Sequence, residues 1–164
     1  MWGFRKHQPL LRVDRRTWRS LLLELRRRGD GRRESGAFLL APRGKERIVV
    51  RSVLYDDLDP ACLVGGIDFH SDGYQRLSAL CRTERLHVIG DVHTHPSREV
   101  GQSLIDRENP MLSRAGHVAL ILPFYAQGNL RETDIGLYRY LGSTRWEGWT
   151  GPAAARRLYV GRWP

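Results

Sequence analysis

The chain has 164 residues, of which 41% are hydrophobic and 27% charged, a composition that excludes a disordered chain and fits one domain. No apolar run approaches the roughly 20 residues that cross a bilayer, and no signal peptide is recognisable. Two cysteines, Cys62 and Cys81, give neither a disulfide framework nor a metal-binding pair. We therefore expect a cytoplasmic protein without a membrane partner. The formal charge of +9 first suggests nucleic acid as a partner.

The hydrophobic pattern predicts alternating helices and strands. Apolar residues at spacings of three and four indicate helices, and β-branched or uniformly apolar runs indicate strands. We expect Asp14 or Thr17 to cap the first helix, and Gly29 to end it. A stretch rich in glycine, proline and aspartate, residues 55–66, is predicted to be a loop. In chain order, the predicted elements are a helix at 17–28, strands at 34–40 and 47–54, a helix at 71–85, a strand at 87–92, a short helix at 103–112, and strands at 117–123 and 134–141.

Helices placed between strands in one small domain predict an α/β fold, a single-domain sandwich in which helices flank a mixed β-sheet. We assign residues 14–141 to this domain. Residues 1–13 form a basic N-terminal arm with one short strand, and residues 142–164 form a Trp- and Arg-rich segment packed on the domain. The arginines of residues 26–33 are interpreted as a solvated helix end, with an acidic partner as the alternative.

The chemically informative residues begin where the strand 87–92 ends. His93 and His95 are two apart, so both imidazoles can face one point. Asp106 follows three residues after Ser103 on the next helix, on the same helix face, and the turn before it can bring its carboxylate beside the histidines. Two neutral imidazoles and a carboxylate are an ordinary zinc ligand set, and three protein ligands leave a position for water, as in catalytic sites.

A hydrolytic zinc site also needs a base that takes a proton from water and passes it to the leaving amine. Glu34 is the candidate, because it opens an otherwise apolar strand where a lone carboxylate needs a partner. The competing interpretation is a solvated charge for Glu34 and a surface pair for the two histidines. His70, His87 and His117 are interpreted as structural or surface groups, and both cysteines as inert.

These residues, taken in order, resemble a known motif. Glu34 with Ser35-Gly36, then the run 93–96 (His-Thr-His-Pro), then six residues, then the run 103–106 (Ser-x-x-Asp), resembles the JAMM motif of the JAB/MPN metallopeptidase family. The resemblance covers roughly residues 14–141. It implies the MPN/JAB fold, which is cytidine-deaminase-like, and one Zn²⁺ per chain held by His93, His95 and Asp106.

The resemblance also implies roles and a substrate. Glu34 would be the general base and then the acid, and Ser103 would donate a hydrogen bond to the developing oxyanion. The implied activity is that of an isopeptidase or peptidase cleaving after the C-terminus of a ubiquitin-like modifier, in deconjugation or precursor processing. Its implied setting is a bacterial ubiquitin-like or antiphage-defence operon with E1- and E2-like partner proteins. Residues 55–66 can line the substrate groove.

Two alternatives stay open at this stage. One is a JAMM peptidase with a non-ubiquitin substrate, such as a phage-tail protein. The other is an MPN scaffold that binds nucleic acid through its basic surface, with a steep salt dependence. With a full set of zinc-site residues present, we favour an acidic protein surface over nucleic acid as the partner of the positive charge.

Overall fold

The computed structural model describes residues 8–162. Five α-helices and nine strands are defined in this range. The helices are α1 (Arg15–Gly29), α2 (Tyr55–Leu58), α3 (Ser71–Glu84), α4 (Leu104–Glu108) and α5 (Gly151–Ala155). The strands are β1 (Leu11–Asp14), β2 (Gly36–Pro42), β3 (Ile48–Val49), β4 (Arg51–Leu54), β5 (Leu86–Thr94), β6 (Val118–Leu122), β7 (Gly136–Gly142), β8 (Arg145–Thr150) and β9 (Leu158–Gly161).

The strands form two sheets. The larger has the order β4-β2-β5-β6-β7-β8, in which only β5 and β6 are parallel neighbours. The smaller has the order β3-β1-β9 and is parallel. The prediction of a mixed sheet flanked by helices is therefore confirmed.

Strand β2 is covered on both faces, which explains its uniformly apolar sequence. Its alternate side chains Ala37, Leu39 and Ala41 join one hydrophobic cluster, which contains the apolar face of α1. Phe38 and Leu40 point the other way, into the cluster under α2 and α3. Strand β2, which pairs with β5 beside His93, is thus packed against hydrophobic residues on both faces.

Helix α1 begins and ends close to the predicted positions. Asp14 is the N-cap, because its Oδ1 accepts hydrogen bonds from the backbone N–H groups of Arg16 and Thr17 at 2.9 and 3.0 Å. Gly29 is the last helical residue, but Asp30, with φ of 50°, adopts the left-handed conformation that closes the helix. Aspartate tolerates this conformation better than most residues, so glycine is not required there.

Three predicted elements were wrong in extent. The single strand predicted at 47–54 is divided, because β3 pairs with β1 in the small sheet while β4 pairs with β2 in the large one. The loop predicted at 55–66 begins with one helical turn, α2. The short helix predicted at 103–112 ends at Glu108, because Pro110 disfavours the helical conformation at Asn109.

The two flanking segments pair with each other. β1 and β9 run parallel, with Leu11 opposite Leu158, and both side chains are buried. β8 lies beside β7 at the edge of the large sheet. The predicted boundaries after residues 13 and 141 stay predictions, and the N-terminal part of the arm and Trp163 lie outside the described residues. None of the helices within residues 8–162 is long and apolar enough to cross a membrane.

Candidate metal centre

The two histidines lie at the carboxyl end of β5. His93 is within the strand, opposite Gly36 of β2 and Ile121 of β6, and it is buried. His95 follows the strand, with its backbone N–H donating to the carbonyl of Leu122 at 2.8 Å. The two Nε2 atoms are 3.1 Å apart. Parallel pairing with β6 thus directs both rings to one point beyond the strand end.

Helix α4 brings the carboxylate of Asp106 to the same point. Its Oδ1 is 3.4 Å from Nε2 of His93, and its Oδ2 is 3.5 Å from Nε2 of His95. A tetrahedral zinc ion with ordinary bond lengths separates its nitrogen and oxygen ligands by about 3.3–3.6 Å. The three side chains can thus supply ligand atoms that all lie within 4.8 Å of one another, and this donor set fits zinc.

The orientation of His95 is set by its second ring nitrogen. Nδ1 lies 3.0 Å from the backbone carbonyl oxygen of Glu99, which can only accept, so Nδ1 carries the hydrogen. When the ring is neutral, the lone pair is then on Nε2, facing Asp106 and His93. Metal-binding histidines usually have such a partner on the other nitrogen.

The charges of the cluster also favour a cation. The hydrogen bond to Asp106 raises the pKa of His95, against an opposing effect of burial. Burial would raise the pKa of Asp106, but hydrogen bonds from His93 and His95 outweigh it and hold that pKa well below its usual range. Asp106 is therefore ionised at neutral pH and can serve as a metal ligand.

Ser103 is the N-cap of α4, as predicted, and it forms a reciprocal capping pair with Asp106. Its Oγ accepts from the backbone N–H of Asp106 at 3.1 Å, while its own N–H donates to the Asp106 carboxylate at 2.7 Å. A hydrogen bond with the Ser103 side chain also helps to lower the pKa of Asp106. Ser103 also lines the cleft, where its hydroxyl can reach a bound substrate.

Glu34 lies two residues before β2 and is held beside the histidines by its neighbour. The backbone N–H of Ser35 donates to Oγ1 of Thr94 at 3.0 Å, and the Thr94 N–H donates to the Ser35 carbonyl at 2.9 Å. Glu34 lines the same cleft as His93, and its negative charge contributes to the raised pKa of His95. The structure thus brings all five predicted site residues to one place.

The cleft has a volume of about 800 Å³, within the range of ligand sites. Its lining includes Val64 from the segment after β4, which is 78% exposed, and Ile105 from α4, which is 71% exposed. Trp146 of β8 also lines the cleft, with its Nε1–H donating to the carbonyl of Arg107 at 3.0 Å. Sequence reasoning missed Trp146, because nothing local connects the C-terminal segment to the cleft.

The loop that joins His95 to α4, residues 96–103 and here called the ligand loop, is held by contacts with β7. The hydroxyl of Tyr138 donates to the Val100 carbonyl at 2.7 Å. A Cβ atom at Gly136 would lie 2.3 Å from that same carbonyl oxygen, so only glycine fits. Neither residue was singled out from the sequence, although a glycine inside a strand is a known sign of close backbone approach.

A buried polar network lies behind the centre. Asp91, two residues before His93, accepts from the hydroxyl of Tyr55 at 2.9 Å and lies 2.6 Å from Nε2 of His117. All three side chains are almost fully buried. His117 is therefore structural, as predicted. Burial raises the pKa of Cys62 to about 12, which agrees with an inert thiol.

The interpretation of residues 26–33 as a solvated helix end was wrong for two arginines. Arg28 is paired with Asp56 and Asp57 of α2 at 2.7 and 2.8 Å. Arg26 donates from Nε and Nη2 to backbone carbonyls near the metal centre. These contacts join elements that are distant in the sequence, so the local charge pattern did not reveal them.

No known protein-family profile matches the sequence. Among solved structures, the solution structure of protein DSY2949 from Desulfitobacterium hafniense is similar, with a TM-score of 0.61 and 16% identity over 92% of each chain. AF2198, a JAB1/MPN domain protein from Archaeoglobus fulgidus, is similar with a TM-score of 0.51 and 17% identity, over 92% of this chain and 96% of the other. The chain therefore has the JAB1/MPN fold, as the motif led us to expect.

Proposed function

We propose that this protein is a zinc-dependent peptidase or isopeptidase that cleaves after the C-terminus of a ubiquitin-like modifier. The observation that carries the proposal is the convergence of His93, His95 and Asp106, whose possible ligand atoms all lie within 4.8 Å of one another. Glu34 and Ser103 line the same cleft, which adds the proton carrier and the hydrogen-bond donor that hydrolysis of an amide requires.

Each residue of the candidate centre has a separate role in the proposed hydrolysis. A zinc ion held by His93, His95 and Asp106 would lower the pKa of water and polarise the scissile carbonyl. Glu34 takes the proton of the attacking water and delivers it to the leaving amine. Ser103 donates its hydroxyl hydrogen to the carbonyl oxygen as negative charge develops there; removing one such donor typically costs about 10²–10³ in rate. The Glu99 carbonyl keeps the His95 ring in the orientation that this arrangement needs.

The cleft supports an extended polypeptide tail as the substrate. Its lining exposes Val64 and Ile105, which offer apolar contacts to a chain that leads to the metal. Gly65 and Gly66 also line the cleft and leave room for a backbone to approach. The formal charge of +9 favours a modifier with an acidic face. A cytoplasmic location and E1- or E2-like partners stay predictions.

The test uses the full chain loaded with zinc and a ubiquitin-like protein encoded beside its gene, fused through its C-terminus to a reporter. We expect cleavage at the end of the modifier, and loss of cleavage in Glu34→Gln by about 10²-fold or more. Glu99→Gln is the matched control, because Glu99 lies in the ligand loop but its side chain makes no ion pair within residues 8–162. Zinc content, measured on every variant, shows that the metal is retained.

The outcomes separate the alternatives. Cleavage of unrelated polypeptides but not of the fusion would leave a JAMM-type peptidase with another substrate. Salt-sensitive binding of DNA or RNA that survives loss of His93, with no cleavage of any fusion, would favour a nucleic-acid-binding scaffold. Cleavage by Glu34→Gln at the wild-type rate would overturn the proposed mechanism.

A further inference from the structure

Three consecutive residues beside the metal centre have a left-handed backbone. Phe124, Tyr125 and Ala126 have φ values of 54°, 53° and 60°, and none of them is glycine. Residues with a Cβ atom avoid this region, and a run of three persists only when surrounding contacts hold it. Something in the structure must therefore stabilise the left-handed turn, Phe124–Ala126.

The left-handed turn is in direct contact with the ligand loop. The backbone N–H of Tyr125 donates to the carbonyl of His95 at 2.9 Å, and that of Phe124 donates to the carbonyl of Ser97 at 3.0 Å. The first of these carbonyls belongs to a metal-ligand residue. The left-handed turn thus fixes the backbone on which the His95 ring is mounted, on the side opposite to β2.

Arg26 holds the left-handed turn in place. Its Nε–H donates to the carbonyl of Ala126 and its Nη2 donates to the carbonyl of Gly128. One guanidinium group therefore binds two backbone carbonyls. The helix that carries Arg26 is itself anchored, because Leu25 beside it is fully buried. A planar guanidinium can make both bonds at once, whereas a lysine ammonium lacks this fork geometry.

We propose that Arg26 is a positioning residue for the metal centre. It acts through the left-handed turn, whose N–H groups hold the backbone of His95 and Ser97 and thereby the position of the His95 ring. The inference rests on the proposed function in one respect, namely that His93, His95 and Asp106 bind zinc. Arg26 thus affects zinc binding without contacting the metal itself.

The test compares Arg26→Gln with Arg27→Gln, a neighbour on the same helix that is exposed and, within residues 8–162, forms an ion pair only with Glu24. Both variants lose one positive charge at adjacent helical positions. Zinc affinity is measured by competition with a chromogenic chelator. We expect Arg26→Gln to bind zinc about 10-fold or more weakly, as changes behind metal ligands usually do, and Arg27→Gln to bind as the wild type. Arg26→Lys should lie between them.

A second readout separates positioning from general destabilisation. In the zinc-free protein, the amides of Phe124 and Tyr125 should exchange faster in Arg26→Gln, while those of the β2 core stay protected. Weak zinc binding by the wild type would overturn the proposed function and this inference with it. Strong binding by the wild type with equal affinity in both glutamine variants would overturn the role of Arg26 alone. If Arg26→Gln does not fold, wild-type zinc affinity in Arg26→Lys overturns it.

Discussion

Replacing Tyr55 by phenylalanine removes a single hydroxyl group from the buried network behind the metal centre. That hydroxyl donates to Asp91 at 2.9 Å, and both side chains are almost fully buried. Burial and the negative charge of Asp91 raise the pKa of Tyr55 well above its usual range, so the phenol remains a donor at neutral pH. In Tyr55→Phe, one oxygen of a buried carboxylate has lost its partner, while the shape of the core is almost unchanged.

The expected cost follows from the charge on the acceptor. Hydrogen bonds to charged groups contribute about 1.5–3 kcal/mol to stability, against about 0.5–1.5 kcal/mol for neutral pairs. For a chain of this size, the unfolding entropy is about 0.34 kcal/mol per kelvin, so Tm should fall by about 4–9 °C. The loss should appear as a lower urea midpoint with an unchanged m-value, because the exposed surface on unfolding stays the same.

Tyr74→Phe is the matched control. Its hydroxyl donates to the neutral carbonyl of Met111 at 2.8 Å, and the side chain is only partly buried. Urea denaturation of both variants and the wild type measures the difference directly. A loss of stability in Tyr55→Phe no larger than in Tyr74→Phe would refute the reasoning, because the charged acceptor would then contribute nothing beyond a neutral one.

Two further changes test the start of α1 and the start of β2. Asp14→Ala removes the N-cap and should cost about 1 kcal/mol at neutral pH. A hydrogen bond from the Thr17 side chain holds the pKa of Asp14 below its usual range. The stabilisation by the cap is present above the ordinary pKa of aspartate and is lost as the pH falls through the folded-state pKa of Asp14. In urea titrations at acid pH, the loss of stability in Asp14→Ala relative to the wild type should therefore be smaller than at neutral pH. Gly36→Ala should destabilise by about 1–3 kcal/mol or more, because a Cβ atom there would lie 2.2 Å from the ring of Tyr55 and 2.8 Å from the Val92 carbonyl; wild-type thermal stability would contradict this.

The sequence by itself determined the elements that depend on local patterns. The helix at α1 follows from apolar spacing and from Asp14, whose cap needs only residues two and three positions away. The grouping of His93 with His95 follows from strand geometry, and that of Ser103 with Asp106 from one helical turn. Each of these relations spans only a few residues, so the local sequence is sufficient to predict it.

Tertiary structure decided the relations between distant segments. The run 47–54 is one apolar stretch in the sequence, but its halves pair with different sheets, because β1 and β2 offer separate partners. Trp146 reaches the cleft only because β8 extends the large sheet beside it. Arg26 looks like one of several solvated charges, yet the carbonyls it binds lie 100 and 102 residues away. Such contacts depend on which surfaces meet after the core has formed, and no local pattern encodes them.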